Sequence, residues 1–126
     1  MTPFLIKESL SAPRVFTECY RDRPEMDLHQ FRKQQRGCRV FVMVLGGKTI
    51  GAISCKNGYF HLGVLPPFRR IWATKGRLKY ISDWANSHGF YRTKAKTGSF
   101  GERMVKAAGM IPTQALEGGS DYAYAT

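Results

Sequence analysis

The chain has 126 residues, 43% of them hydrophobic and 13% aromatic, which suits one packed domain and leaves no room for a second core. That composition excludes a disordered polypeptide, and no apolar run reaches the ~18 residues of a membrane span. The formal net charge is +11, and residues 29–106 alone hold an excess of +14, a field that favours polyanions: nucleic acid, an acidic protein surface or a phosphorylated cofactor.

Pro3 to Glu8 reads as a first strand. Its flanks lack a basic stretch before a long apolar core, so no signal peptide is expected. Ser11 is an N-cap for a helix with Pro13 in its first turn, where a missing N–H is harmless, and Val15, Phe16, Cys19 and Tyr20 share one face. Arg23-Pro24 ends that helix. Asp27 caps a second short one, with Gln30 completing a capping box, Leu28 and Phe31 turned inward, and Gly37 as its stop.

Arg39 to Leu45 is rich in β-branched residues and reads as a strand. Gly46-Gly47 and Asn57-Gly58 are both two-residue hairpin signals, so Lys48–Lys56 and Tyr59–Val64 complete an antiparallel meander. Pro66-Pro67 stops the third of these strands, since proline cannot donate to a ladder. A basic turn follows, then a helix to about His88 with Leu78, Ile81, Trp84 and Ala85 on one face and Gly89 at C′.

Tyr91 to Thr97 alternates and forms a strand parallel to Tyr59–Val64, because a helix joins them. Phe100–Ala108 is a short helix with Met104 and Ala108 inward and Gly109 at C′. Ile111–Leu116, a Gly118-Gly119 turn and Asp121–Thr126 close the chain as a hairpin, and Pro3–Glu8 and Asp121–Thr126 are sheet edges that leave homodimerisation open. Cys19, Cys38 and Cys55 are odd in number and widely spaced. They read as buried structural thiols of a reducing cytoplasm rather than disulfides or metal ligands, and His29, His61 and His88 have no metal-ligand spacing.

The strand, cationic turn and helix at 59–88 carry the chemistry. The first amides of a helix lack intrahelical partners and the macrodipole adds positive charge, so Arg69, Arg70 and Lys75 would surround an anion site. A solvated basic turn is the other reading of the same residues. Trp72 reads either as a core or subunit-contact aromatic or as a platform for a base.

Val64-x-Pro66-x-x-Arg69 followed by a helix resembles the acyl-CoA-binding segment of the GNAT (GCN5-related N-acetyltransferase) family, V-x-P-x-x-R-G-x-G-x-G/A. Arg70, Trp72 and Thr74 stand where that motif has glycines or a small residue. The predicted order β-α-α-β-β-β-α-β-α-β-β is the GNAT order over essentially the whole chain, and Gly109-Met110 stands where the family usually has Gly-Phe. The chain looks like the compact GNAT-like proteins that phages encode, which would put it in a host's cytoplasm.

The resemblance implies an α+β fold: a mixed, mostly antiparallel sheet of six or seven strands with helices on both faces, in one acyl-CoA-binding domain spanning 1–126. It implies acetyl-CoA as cosubstrate and an amine as acceptor. Backbone groups of Leu62 and Val64 would hold the pantetheine arm and the oxyanion, and Arg69, Arg70, Trp72, Ala73, Thr74 and Lys75 would line the phosphates and adenine. The family's frequent acid, a Tyr, is replaced by Val105, and its Asn after the fifth strand is replaced near Gly98-Ser99. His61 and Glu102 are the candidate bases, ahead of Tyr59. His61 also reads as an ordinary strand histidine, and Glu102 as an i,i+4 partner of Lys106. A non-catalytic protein that uses two basic clusters, Arg32, Lys33, Arg36 and Arg39 and then Arg69 to Lys79, on nucleic acid or an acidic host protein is the alternative.

Overall fold

Among the described residues, seven strands lie in one mixed sheet of order β1-β2-β3-β4-β5-β7-β6, with four α-helices in the connections. The structure, a computed structural model, describes residues 3–22 and 28–125, without the side chains of Leu28, Phe31 and Arg32. The expected capping box at Asp27 and the inward turn of Leu28 and Phe31 lie outside those residues. The elements are β1 (Phe4–Glu8), α1 (Ala12–Glu18), α2 (Leu28–Gln34), β2 (Arg39–Leu45), β3 (Lys48–Lys56) and β4 (Tyr59–Val64). A 3-10 turn at Pro66–Phe68 leads to α3 (Lys75–Ser87), β5 (Arg92–Lys96), α4 (Phe100–Ala107), β6 (Ile111–Leu116) and β7 (Gly119–Ala123). The order and α+β class are those expected from the sequence. β4 and β5 are parallel, and the other recorded pairs are antiparallel.

The chain packs as two compact units that share β4: Met1–Lys56 with Leu62–Trp72, and Asn57–His61 with Ala73–Thr126. In the first, α1 lies on β2 and β3 through Ala12, Phe16, Val42, Val44 and Ala52. Ser11 does not cap α1 with its side chain; its Oγ meets Ser9 Oγ at 2.9 Å instead. Gly63 is needed where α1 meets β4, since a Cβ there would press on the Cys19 Cβ at 2.8 Å. In the second unit, Leu78, Ile81, Ser82 and Ala85 form the buried face of α3 and α4 packs on α3 and β5. Thr74 caps α3 by accepting from the Arg77 amide at 3.2 Å, and Ser99 caps α4 by accepting from Glu102 N–H at 3.1 Å.

Three expectations need correction. β7 begins at Gly119, so the tight turn is at Glu117-Gly118; a side chain at Gly119 would run into the Ala95 carbonyl of the neighbouring strand, and glycine is there for that close approach. β7 is interior, between β5 and β6, so the sheet edges are β1 and β6 rather than the C-terminal strand. Cys38 is only half-buried, with Sγ donating to Gln34 O at 3.7 Å, while burial pushes the thiols of Cys19 to about 11 and Cys55 to about 12. No helix among the described residues is long and apolar enough to cross a membrane.

Candidate functional site

In the first unit, β4 runs out into the turn that follows it. Leu65 N–H donates to Ile50 O of β3 at 2.8 Å. Strand alternation then points the backbone groups of Leu62 and Val64 to the other edge. Both carbonyls on that edge are occupied: Tyr20 Oη donates to Leu62 O, and Arg69 Nε donates to Val64 O at 3.2 Å. The N–H groups of Leu62 and Val64 lie along that same edge of β4.

Arg69 is a tie between segments distant in sequence. Besides Val64 O, its guanidinium donates to Cys19 O at 2.6 Å and to both carboxylate oxygens of Asp22, at 2.8 and 2.9 Å. Four of its five N–H bonds are thereby used to fasten the end of α1 to the turn after β4. The turn also bonds internally, through Phe68 N–H to Leu65 O, Arg69 N–H to Pro66 O and Ile71 N–H to Phe68 O. Arg70, by contrast, is exposed. Trp72 is buried to 1% exposure, so the core reading holds and no ring face is presented to a base.

In the second unit, α3 opens on Ala73, half-buried, then on Thr74, Lys75 and Gly76, all exposed. Thr74 satisfies Arg77 N–H, which leaves Lys75 and Gly76 as helix amides without an intrahelical acceptor. A Cβ built on Gly76 meets nothing within 4 Å, so the helix end is open. The exposed N-terminus of this 13-residue helix, with a lysine at its first position, presents amide donors and positive charge to solvent.

The same unit holds the titratable groups. His61 lies on β4 with solvent access; protein atoms crowding the ring and the Lys94 ammonium hold its pKa below the ordinary 6.5, so it is neutral at pH 7. Glu102 is largely spoken for: it takes Gly98 N–H at 3.3 Å, Tyr122 Oη at 3.5 Å and the Lys106 ammonium at 3.7 Å. These contacts close the N-terminal turn of α4.

Sequence reasoning missed a cluster on β4, β5 and β7. Asp121, 2% exposed, accepts from Tyr59 Oη at 2.7 Å and Arg92 Nη2 at 2.8 Å, both on Oδ2, while its buried Oδ1 accepts no hydrogen bond among the described residues. That bond to a carboxylate raises the Tyr59 pKa, which makes Tyr59 a poor acid. The Tyr59 ring carries Arg92 at 4.8 Å and Lys94 at 5.1 Å from its centroid. The one signal available in sequence was the alternation of cations in Arg92-Thr93-Lys94-Ala95-Lys96, next to a lone acid far along the chain.

No protein-family model and no curated protein matches the chain. Solved structures do. A GCN5-related N-acetyltransferase from Rhodopseudomonas palustris is similar over 100% of this chain and 96% of its own, at 12% identity and a TM-score of 0.60. The catalytic domain of the Tetrahymena GCN5 histone acetyltransferase, in complex with coenzyme A, is 14% identical over 98% of this chain and 92% of its own, with a TM-score of 0.56. A Bacillus subtilis acetyltransferase in complex with CoA is 8% identical over 100% of both chains, with a TM-score of 0.59. At these identities the likeness is one of fold.

Proposed function

We propose that this chain, which has the fold of the GNAT superfamily, is an N-acetyltransferase that moves an acetyl group from acetyl-CoA to an amine acceptor. The observation that carries this reading is the open N-terminus of α3, with the free amides of Lys75 and Gly76 and the Lys75 charge directly after β4 and its turn. Phosphate oxygens suit that end: amides bind without a Cβ in the way at Gly76, and the macrodipole adds to the lysine. Arg69 and Trp72 are left out, the first because its donors are used and the second because it is buried.

The N–H groups of Leu62 and Val64 serve the pantetheine arm and the thioester oxygen, where Val64 N–H stabilises negative charge developing on that oxygen. The acceptor amine attacks the thioester carbon, forming the N–C bond as the C–S bond breaks. His61, neutral at pH 7, takes the proton that the amine gives up, and the thiolate leaves to be protonated from solvent. Glu102 is not the base in this reading, because its oxygens hold the start of α4.

One observation favours a second reading, a non-catalytic protein that binds polyanions through its basic surface. The amides of Phe68, Arg69 and Ile71 bond within the turn, so the loop itself offers fewer donors to a phosphate than a glycine-rich one would. Thiol release from acetyl-CoA with a panel of amines separates the two. The transferase reading expects release by the wild type and its loss on His61→Gln with acetyl-CoA binding retained. No release with any amine, beside binding to DNA or RNA that weakens steeply with salt, would favour the second.

A further inference from the structure

We infer that the acceptor is an amine carrying its own anionic group, a phosphate or carboxylate, which Lys94 and Lys96 of β5 recognise; this rests on the acetyl-transfer reading above. Thr93 is buried and its Oγ1 donates to Phe60 O at 2.7 Å, so alternation sends Arg92, Lys94 and Lys96 together to the opposite face of β5. His61 and Tyr59 alternate with buried Phe60 on β4, and Tyr59 pairs with Arg92 across the parallel ladder. All five side chains therefore share one face of the second unit.

The acid that faces them does not neutralise the lysines. Asp121 stands opposite Lys94 in the β5–β7 register, yet it is sunk to 2% exposure and spends its one bonded oxygen on Arg92 and Tyr59. Lys94 is held instead against the Tyr59 ring, which positions the ammonium without cancelling its charge. Among the described residues neither Lys94 nor Lys96 forms an ion pair with an acid. The field of Lys94 reaches His61, since it helps to lower that histidine's pKa.

An uncompensated cation beside the base repels the substrate of this reaction. A simple alkylamine arrives mostly as an ammonium ion, and like charges in one site weaken its binding. An amine that also carries a phosphate or carboxylate arrives neutral or negative overall. Its anion sits on Lys94 and Lys96, and its amine is left to His61. Tyr59 is a positioning residue here, acting through Lys94.

The test compares 2-aminoethyl phosphate, β-alanine and ethanolamine, which share a short aminoalkyl body. Binding is read by calorimetry or NMR without acetyl-CoA, and acetyl transfer is read separately, so a failure of acetyl-CoA to bind would count against the enzyme reading and leave this one to be judged. The expected result is that at least one anionic amine binds about tenfold or more tightly than ethanolamine, with the preference abolished in Lys94→Gln/Lys96→Gln and reduced by salt. The phosphate and carboxylate arms tell which anion is preferred. Tyr59→Phe, which keeps the ring, should retain the preference, and Tyr59→Leu should lose it. Equal binding of all three amines, binding of none, or a preference that survives in the double variant, would overturn the proposal.

Discussion

Arg69 donates to the carbonyls of Val64 and Cys19 and to both oxygens of Asp22. A motif made it a phosphate ligand; its partners, up to 50 residues away in sequence, make it a fastening. Replacing Arg69 with Ala strands two carbonyls and a carboxylate in a partly solvated setting. The expected cost is about 1–3 kcal/mol in chemical denaturation, whereas Lys75→Glu, at an open helix end, should stay within about 0.5 kcal/mol. An Arg69 variant that fails to bind acetyl-CoA would therefore say little about the cofactor, and Lys75 is the better probe. His61 belongs to the same scale. Its folded pKa is lowered, so the unfolded chain takes up the proton first; the contribution to stability is complete above about pH 6.5 and is lost as pH falls through the lower folded value. Activity should fall over the same acid limb, as the base is protonated. An NMR titration of the His61 ring in the native protein, expected below the ordinary histidine midpoint, checks this; a midpoint at or above 6.5 would contradict it.

At the scale of elements, the meander β2–β3–β4 was legible because its signals are local. Asn57 adopts φ 53° at the turn that joins β3 and β4, the conformation that an Asn-Gly pair announces. The C-terminal hairpin was misread at its boundary because the deciding contact is not local. Gly119 looked like half of a Gly-Gly turn, but it lies in β7, opposite Lys96, with the Ala95 carbonyl where a Cβ would be. Gly119→Ala should destabilise by about 1–3 kcal/mol, by forcing β5 and β7 apart, while Gly118→Asn in the true turn, at a φ of 76° that asparagine tolerates, should cost less. Urea denaturation of the two variants gives the comparison. The Asp121 cluster escaped sequence reading for the same reason: its register with β5 exists only because β7 inserts between β5 and β6. Trp72 was ambiguous in sequence, since an aromatic in a basic turn suits a core or a ligand equally, and burial decides for the core.

For the whole molecule, the order of elements along 126 residues carried more than any motif did. Each strand and helix had its own local signature, and together they allowed few topologies. The charge excess was equally visible, but its division into used and available cations was not. Arg69 and Arg92 are held by acids, whereas Lys94 and Lys96 form no ion pair among the described residues and Lys75 stands exposed at the start of α3. The proposed transferase activity requires the open end of α3 to receive the phosphates of acetyl-CoA. Its most direct test is a calorimetric titration of acetyl-CoA into the wild type and into Lys75→Glu, with denaturation curves to show that both are folded. The wild type should bind saturably, and the variant about tenfold or more weakly at low salt. No binding by the wild type, or equal binding by the two, would contradict it.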